Sequence, residues 1–203
     1  LRAKVGQGTG NGADKARFVY LLPNFQNPTG RSMNEERRAD VARVANETGL
    51  PIIEDNPYGD LWFDTPPGPS LSSRHPEGSV YLGSFSKILA PGLRLGYLVA
   101  PKALYPKLLQ AKQAADLHSP GFNQRMVAEV IKDGFLERHV PGIRRLYKTQ
   151  RDAMLEALAR EMPQGHPDTT LTWNSPAGGM FLWARLPKGM SAVDRLPFAV
   201  DQG

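Results

Sequence analysis

The stretch Ser84–Gly96 limits what this chain can fold into more than any other part of the sequence. It lies between two short apolar runs, Val80–Gly83 and Leu95–Ala100, which contain β-branched and aromatic residues and are bounded by glycine or proline. Such runs are typical of buried strands. The Pro91-Gly92 pair prevents the connection between them from forming a helix. We therefore expect a polar, positively charged loop between two strands of a sheet.

The side chains of this loop suit a phosphorylated aldehyde. A lysine buried at the mouth of an apolar sheet is a nucleophile, and Lys87 could form a Schiff base there. Ser84, Ser86 and Arg94 offer the neutral and charged donors that bind phosphate. This combination suggests pyridoxal phosphate (PLP). A surface lysine and a structural arginine would explain this loop equally well when it is taken alone.

Two further stretches point to the same chemistry. Tyr20–Gly30 is a strand that runs into a tight Asn-Pro-Thr-Gly loop, and Ile52–Tyr58 is a strand that ends on Asp55. With these three motifs in this order, the chain resembles the class I/II aminotransferases of the fold-type I PLP superfamily. The resemblance extends from about Arg17 to about Leu186. It is strongest to the branch that contains 2-aminoadipate and kynurenine aminotransferases and the MocR regulators.

The resemblance implies catalytic and phosphate-binding roles. Lys87 is similar to the lysine that forms the Schiff base with PLP and then moves the substrate's proton as general base and acid. Asp55 is similar to the carboxylate that keeps the pyridine nitrogen protonated, so that the ring can accept electrons. The residues that resemble the family's phosphate site are Ser84, Ser86 and Arg94.

Tyr58 and Asn27 resemble the pair that hydrogen-bonds the 3-hydroxyl oxygen of the cofactor ring. Each residue also has a purely structural interpretation. Tyr58 could be a core tyrosine, and Asn27 could be favoured by the turn that precedes Pro28. Asp55 could likewise cap its own turn.

The pattern of helices and strands predicts an α/β fold. A helix is expected to start at Ser32, which forms a capping box with Glu35, and to end at Gly49. Because this helix links two strands, it indicates a βαβ unit of a parallel sheet, whose carboxyl ends bind ligands. The resemblance implies part of a three-layer α/β/α PLP-transferase large domain, like that of aspartate aminotransferase, over residues 1–137. It also implies part of a small α+β C-terminal domain over residues 138–203.

Downstream of the lysine loop, the sequence predicts mainly helices. Apolar residues at helical spacing predict two helices, at 101–115 and 119–133, and a long one at 143–161. Strands are expected at 170–173 and 179–183. The helix over 143–161 would link the large domain to the small one.

The chain also departs from the family pattern. The family keeps an aromatic residue that stacks on the PLP ring before the region that matches residue 1. It keeps the arginine that binds the substrate's carboxylate after the region that matches Gly203. We therefore expect the 203 residues to be a fragment. The family is dimeric with shared active sites, which implies a homodimer.

Composition excludes several other classes of function. There is no cysteine, so no thiolate metal site or cysteine nucleophile is possible, and the four histidines lack ligand spacing, so we predict no metal. The net charge of +5 comes largely from a basic face at helical spacing within residues 138–151. We interpret that face as solvated and predict no nucleic-acid partner for an enzyme. No signal peptide or run of about 18 apolar residues is present, which predicts a cytoplasmic protein without a membrane partner.

The expected activity is the transfer of an amino group between an amino acid and a 2-oxo acid. The resemblance implies 2-aminoadipate, an aromatic or a branched-chain amino acid as donor and 2-oxoglutarate as acceptor. A MocR-type regulator that senses PLP and carries its DNA-binding domain upstream would share these motifs. So would another fold-type I enzyme, such as a β-lyase. A serine acyl enzyme with an S-x-x-K motif is rejected because its S-D-N and K-T-G partners are missing.

Overall fold

The computed structural model describes residues 16–162, 165–166, 168 and 170–202, so the first fifteen residues of the predicted large domain lie outside it. The strands are β1 (Val19–Leu21), β2 (Ile52–Asp55), β3 (Ser79–Ser84), β4 (Gly96–Val99), β5 (Thr172–Trp173) and β6 (Ala184–Arg185). The helices are α1 (Glu35–Thr48), α2 (Leu71–Arg74), α3 (Tyr105–Asp116), α4 (Gly121–Ile131), α5 (Phe135–Glu161) and α6 (Ala192–Asp201). Short 3₁₀ turns cover Pro76–Gly78, Pro91–Leu93 and Lys102–Leu104.

The larger sheet has the order β1-β2-β3-β4. Strands β1, β2 and β3 run parallel, and β4 returns antiparallel to β3. With helices between its strands, the chain has the predicted α/β fold. The expectation that both strands around the lysine loop are buried was wrong for β4, because all four of its residues are exposed. It has β3 as its strand partner in the described part of the chain, and its outer edge is open.

The two faces of the parallel strands have different roles. Ile52 of β2 lies in a buried cluster with Ala45 of α1 and Leu71 of α2, and Val19 and Leu21 of β1 pack against it. Alternate residues of a strand point to opposite faces. The residues between these apolar ones therefore point away from α1, towards the other side of the sheet. That second face carries Tyr20 of β1 and Asp55 of β2.

Helix α1 begins later than the sequence predicts. Its N-cap is Asn34, whose Oδ1 accepts a hydrogen bond from the backbone N–H of Arg37 at 2.9 Å. The expected capping box at Ser32 is wrong because the Ser32 hydroxyl accepts instead from the backbone N–H of Phe25, at 3.0 Å. The end of the helix is as predicted: Gly49 has a left-handed backbone with φ +65°.

Helix α5 is longer than the sequence predicts and begins at Phe135 rather than Ile143. Pro141 lies inside it. A proline there removes one helical hydrogen bond. Leu136, Val140 and Ile143 pack in the core, which offsets that loss. The proposed domain boundary after residue 137 falls near the start of this helix and stays a prediction. None of the described helices is both long and apolar enough to cross a membrane.

The second, smaller sheet pairs β5 with β6 in antiparallel register. The strand expected at residues 179–183 was wrong, because that segment forms an irregular turn and β6 follows it. The backbone of this turn bonds to residues 61 and 62 instead: the Gly179 N–H donates to the carbonyl of Leu61 at 2.8 Å, and Gly178 forms a β-bridge with Trp62. Those backbone groups are therefore not available for a continuous strand.

Candidate active site

The predicted site residues follow the ends of three adjacent strands. Asn27 lies in the loop after β1, Asp55 is the last residue of β2, and Ser84 is the last residue of β3. Because the three strands are parallel, their carboxyl ends meet at one edge of the sheet. Asp55 pairs in register with Leu82, two residues before Ser84. The structure thus brings Asp55 and the lysine loop together at this edge.

The lysine loop is closed at its base by the pairing of β3 with β4. Ser84 is opposite Gly96, and the Phe85 N–H donates to the carbonyl of Leu95 at 3.2 Å. Inside the loop, the Ser84 hydroxyl accepts a hydrogen bond from the Ser86 N–H at 3.1 Å. The antiparallel return therefore places Arg94 and Ser86 in the same closed loop. Lys87 is half-buried one residue further on.

Arg94 has a backbone conformation that is unusual for its residue type. Its φ is +52°, in the left-handed region that costs a non-glycine residue roughly 1 kcal/mol. Its N–H donates to the Pro91 carbonyl at 3.3 Å, and the side-chain amide of Asn123, from α4, donates to the Leu93 carbonyl at 3.0 Å. The surrounding loop thus holds Arg94 in this conformation; the residue is exposed, and its Nη1 donates to the Pro91 carbonyl at 3.4 Å.

Asp55 has a partner that the sequence did not predict. The hydroxyl of Tyr20 donates a hydrogen bond to Oδ2 of Asp55. This hydrogen bond, followed by burial, raises the pKa of Tyr20 to about 12. Strand register would have indicated the pair: Tyr20 is opposite Ile53, and Asp55 lies two residues further along the same face of β2.

Tyr58 is almost fully buried, with 7% of its surface exposed. It belongs to a core cluster with Phe25, Leu61 and Ile88, and its ring meets the edge of Phe181 at 5.4 Å between centroids. The core interpretation made from the sequence therefore applies to its ring. Its role towards the 3-hydroxyl oxygen of the cofactor stays a prediction.

Asn27 lies at the exposed tip of the Asn-Pro-Thr-Gly loop. The loop is closed by the Gly30 N–H, which donates to the Gln26 carbonyl at 2.6 Å. In the part of the chain that the structure describes, the Asn27 side chain makes no hydrogen bond to another predicted site residue. The side-chain amide of Asn174, beside β5, donates to the Thr29 carbonyl at 2.8 Å. The segment that follows β5 therefore supports this loop.

A chain of polar side chains links the segments after β1 and β2 to Tyr81, in the middle of β3. Arg38, which is 1% exposed, donates to the Pro23 carbonyl at 3.2 Å and to the side chain of Asn24. The Asn24 amide donates to Asn56 at 2.8 Å, and Asn56 donates to the Tyr81 hydroxyl at 2.9 Å. Burial lowers the pKa of Arg38. The network was not predicted, because no local motif marks it.

The donor set of the site fits PLP. The hydroxyls of Ser84 and Ser86 and the guanidinium of Arg94 lie on one closed loop, which suits a phosphate. Within the described residues no carboxylate pairs with Lys87 or Arg94, so both charges are available to an anionic ligand. Asp55 uses one carboxylate oxygen for Tyr20, which leaves the other for a protonated ring nitrogen.

Comparison with known proteins identifies the family. The sequence model described as aminotransferase class I and II matches residues 10–196. The chain belongs to this family. It is 43% identical, over 93% of its length, to aromatic-amino-acid aminotransferase 1 of Thermococcus litoralis, of which it covers 44%. It is 38% identical, over 86% of its length, to YisV, an HTH-type transcriptional regulator of Bacillus subtilis, of which it covers 35%.

Solved structures of aminotransferases have the same fold. The crystal structure of LysN, the α-aminoadipate aminotransferase of Thermus thermophilus, matches 91% of the chain with a TM-score of 0.84 and 42% identity. The chain covers 47% of that structure, which contains N-(5′-phosphopyridoxyl)-L-leucine. The chain thus spans about half the length, or less, of the aminotransferases that it matches. Family membership and this phosphopyridoxyl complex indicate pyridoxal phosphate as the cofactor.

Proposed function

We propose that this aminotransferase-family protein transfers an amino group between an amino acid and a 2-oxo acid, with PLP as cofactor. One observation carries the proposal. A lysine, two serines and an arginine share a closed loop at the carboxyl end of β3, and a carboxylate ends the adjacent strand β2. This arrangement supplies an amine, a phosphate site and a partner for a ring nitrogen at one edge of the sheet.

Each residue has a distinct task in the proposal. Bound PLP supplies a cationic ring that accepts the electron pair left at the substrate's α-carbon when its proton is removed. The Lys87 amine would hold the cofactor at its aldehyde and, when free, would take up and return that proton. Asp55 keeps the ring nitrogen protonated. Tyr58 and Asn27 hydrogen-bond the 3-hydroxyl oxygen, and the phosphate is bound by Ser84, Ser86 and Arg94.

The substrate range that we propose is narrower than that of the whole family. The donor is 2-aminoadipate, an aromatic or a branched-chain amino acid, and 2-oxoglutarate is the acceptor. The similarity to an aromatic-amino-acid aminotransferase and to LysN supports the donor class. A homodimer and a cytoplasmic location are part of the same proposal, by analogy with the family.

The decisive experiment traps the cofactor on the protein. The gene product that carries this chain is mixed with PLP, reduced with borohydride, digested and mapped by mass spectrometry. We expect the pyridoxyl group on the peptide that contains Lys87. A folded protein with no adduct, or with an adduct on another lysine, would contradict the proposal. Single-turnover incubation with each amino acid then identifies the donor by the 2-oxo acid released.

A PLP-sensing regulator is the second candidate. The similarity to YisV, a transcriptional regulator, over 86% of the chain favours it. The trapping experiment gives the same adduct for both candidates, whereas turnover separates them. Sustained conversion of amino acid and 2-oxo acid supports the enzyme. PLP binding without turnover, together with a DNA-binding domain encoded upstream, supports the regulator.

A further inference from the structure

We propose that Tyr20 is a positioning residue for Asp55: its hydroxyl holds Oδ2 of the carboxylate so that the second oxygen faces the ring nitrogen of PLP. The inference rests on the proposed function. It concerns a residue that none of the three sequence motifs assigns to the cofactor. Tyr20 itself makes no contact with the reacting atoms in this proposal, because it acts through Asp55.

The backbone fixes the two partners relative to each other. Strands β1 and β2 are hydrogen-bonded in parallel, with Tyr20 opposite Ile53 and Leu21 opposite Glu54. Asp55 is two residues after Ile53, so its side chain and that of Tyr20 lie on the same face. A tyrosine is long enough to reach a diagonal neighbour on an adjacent strand. The hydrogen bond between them is therefore set by the register of the sheet.

Asp55 has few other restraints on its side chain. Among the described residues, Tyr20 is the hydrogen-bond donor to its carboxylate. Asp55 is half-buried, and without that donor no hydrogen bond from the described residues fixes the rotation of its carboxylate towards the ring nitrogen. The phenol also remains a donor through the neutral pH range, since its pKa is about 12. A hydrogen bond to a charged group is strong enough that its loss should weaken cofactor binding about tenfold.

The test measures the Kd of the apoprotein for PLP, by fluorescence, in the full gene product that contains this chain. Tyr20→Phe removes only the hydroxyl and should raise the Kd about tenfold. Tyr105→Phe is the matched control, because Tyr105 is a 63% exposed tyrosine on α3 and makes no contact with Asp55. It should leave the Kd unchanged. Circular dichroism verifies that both variants are folded.

A double-mutant cycle distinguishes positioning from a general structural effect. If Tyr20 acts through the carboxylate, Tyr20→Phe should cost nothing further in an Asp55→Ala background, which removes the acceptor of its hydrogen bond. An equal loss of PLP affinity in both backgrounds would overturn the inference, because the hydroxyl would then act independently of the carboxylate. An unchanged Kd in Tyr20→Phe alone would overturn it as well.

The outcome for the wild-type protein separates this inference from the proposed function. Failure of the folded wild-type protein to bind PLP would overturn both. Normal binding and turnover by the wild type, together with an unaffected Tyr20→Phe variant, would overturn only the role of Tyr20. A loss of affinity in Tyr20→Phe that disappears in the Asp55→Ala background supports the role of Tyr20, and turnover by the wild type supports the proposed function.

Discussion

Lys87 is the residue on which the proposed chemistry depends most. Replacing it by alanine removes the amine but leaves the three phosphate donors in place. We expect Lys87→Ala to lose turnover by at least about 1,000-fold, since the general base is absent. PLP should remain bound without a covalent bond, through Ser84, Ser86 and Arg94. Initial rates and the PLP retained after gel filtration measure the two effects.

Lys102 provides the control for this variant. It is an exposed lysine in the turn before α3 and is outside the proposed site. Lys102→Ala should keep both activity and the borohydride adduct. Appreciable transamination by pure Lys87→Ala protein would refute the role assigned to Lys87.

Tyr20 should titrate later than an ordinary tyrosine. Its pKa is raised from 10.0 to about 12, chiefly by its hydrogen bond to Asp55. Because folding favours the neutral phenol, the stabilisation is complete below about pH 10 and disappears as pH rises towards about 12. Ultraviolet difference titration of wild type against Tyr20→Phe isolates this phenol. A midpoint close to about 10, the ordinary value for tyrosine, would show that the hydrogen bond is absent.

The cap of α1 can be tested by two substitutions of Asn34. Asn34→Ala should reduce the free energy of unfolding by about 1 kcal/mol, because the Arg37 N–H loses its acceptor. Asn34→Asp should retain most of the stability, since aspartate is an equally good N-cap. Urea denaturation of the three proteins measures the difference. If Ser32 were the cap, Asn34→Ala would unfold at the same midpoint as wild type.

The turn that contains Gly179, before β6, packs against Phe25, in the segment that leads into the Asn-Pro-Thr-Gly loop. Gly179 has φ +77°, and a Cβ atom there would lie 2.5 Å from Cβ of Phe25. Gly179→Ala should therefore destabilise the fold by about 2 kcal/mol or more, from backbone strain and overpacking together. Thermal denaturation measures the loss.

Gly189 separates the two contributions. It also has a positive φ, +84°, but nothing lies within 4 Å of a Cβ built there. Gly189→Ala should thus show the backbone contribution alone, about 1 kcal/mol. Equal losses at both glycines would mean that the contact with Phe25 contributes nothing.

Local sequence patterns predicted some elements well and failed for others for physical reasons. The strand before Asp55 was predictable because an apolar run ends on a carboxylate. The direction of β4 was not, since an apolar run has the same composition in either direction. Ser32 and Asn34 are both good N-caps, and a tertiary hydrogen bond to Phe25 decided between them. The hydrogen bond between Tyr20 and Asp55 was not predictable from local patterns, because it depends on the register between β1 and β2, which α1 separates in the sequence.

Among the residues that the structure describes, the larger sheet has an open apolar edge at β4. β4 exposes Tyr97, Leu98 and Val99, the last of them 62% exposed. Unpaired edges of this kind pair with other chains. The 203-residue chain expressed alone should associate with increasing concentration, and Val99→Lys should reduce that association. Sedimentation velocity measures it. Val193→Lys on α6, at a position 79% exposed, is the control and should change little.

The closed base of the lysine loop also affects the entropy of ligand binding. Ordering a residue's backbone costs roughly 1–2 kcal/mol, and the pairing of Ser84 with Gly96 means that the loop is ordered when the sheet folds. Lys87 and Arg94 therefore need little further backbone ordering when a phosphate arrives. The conformational entropy of the loop is lost when the protein folds rather than when the ligand binds. The affinity for the ligand is correspondingly greater.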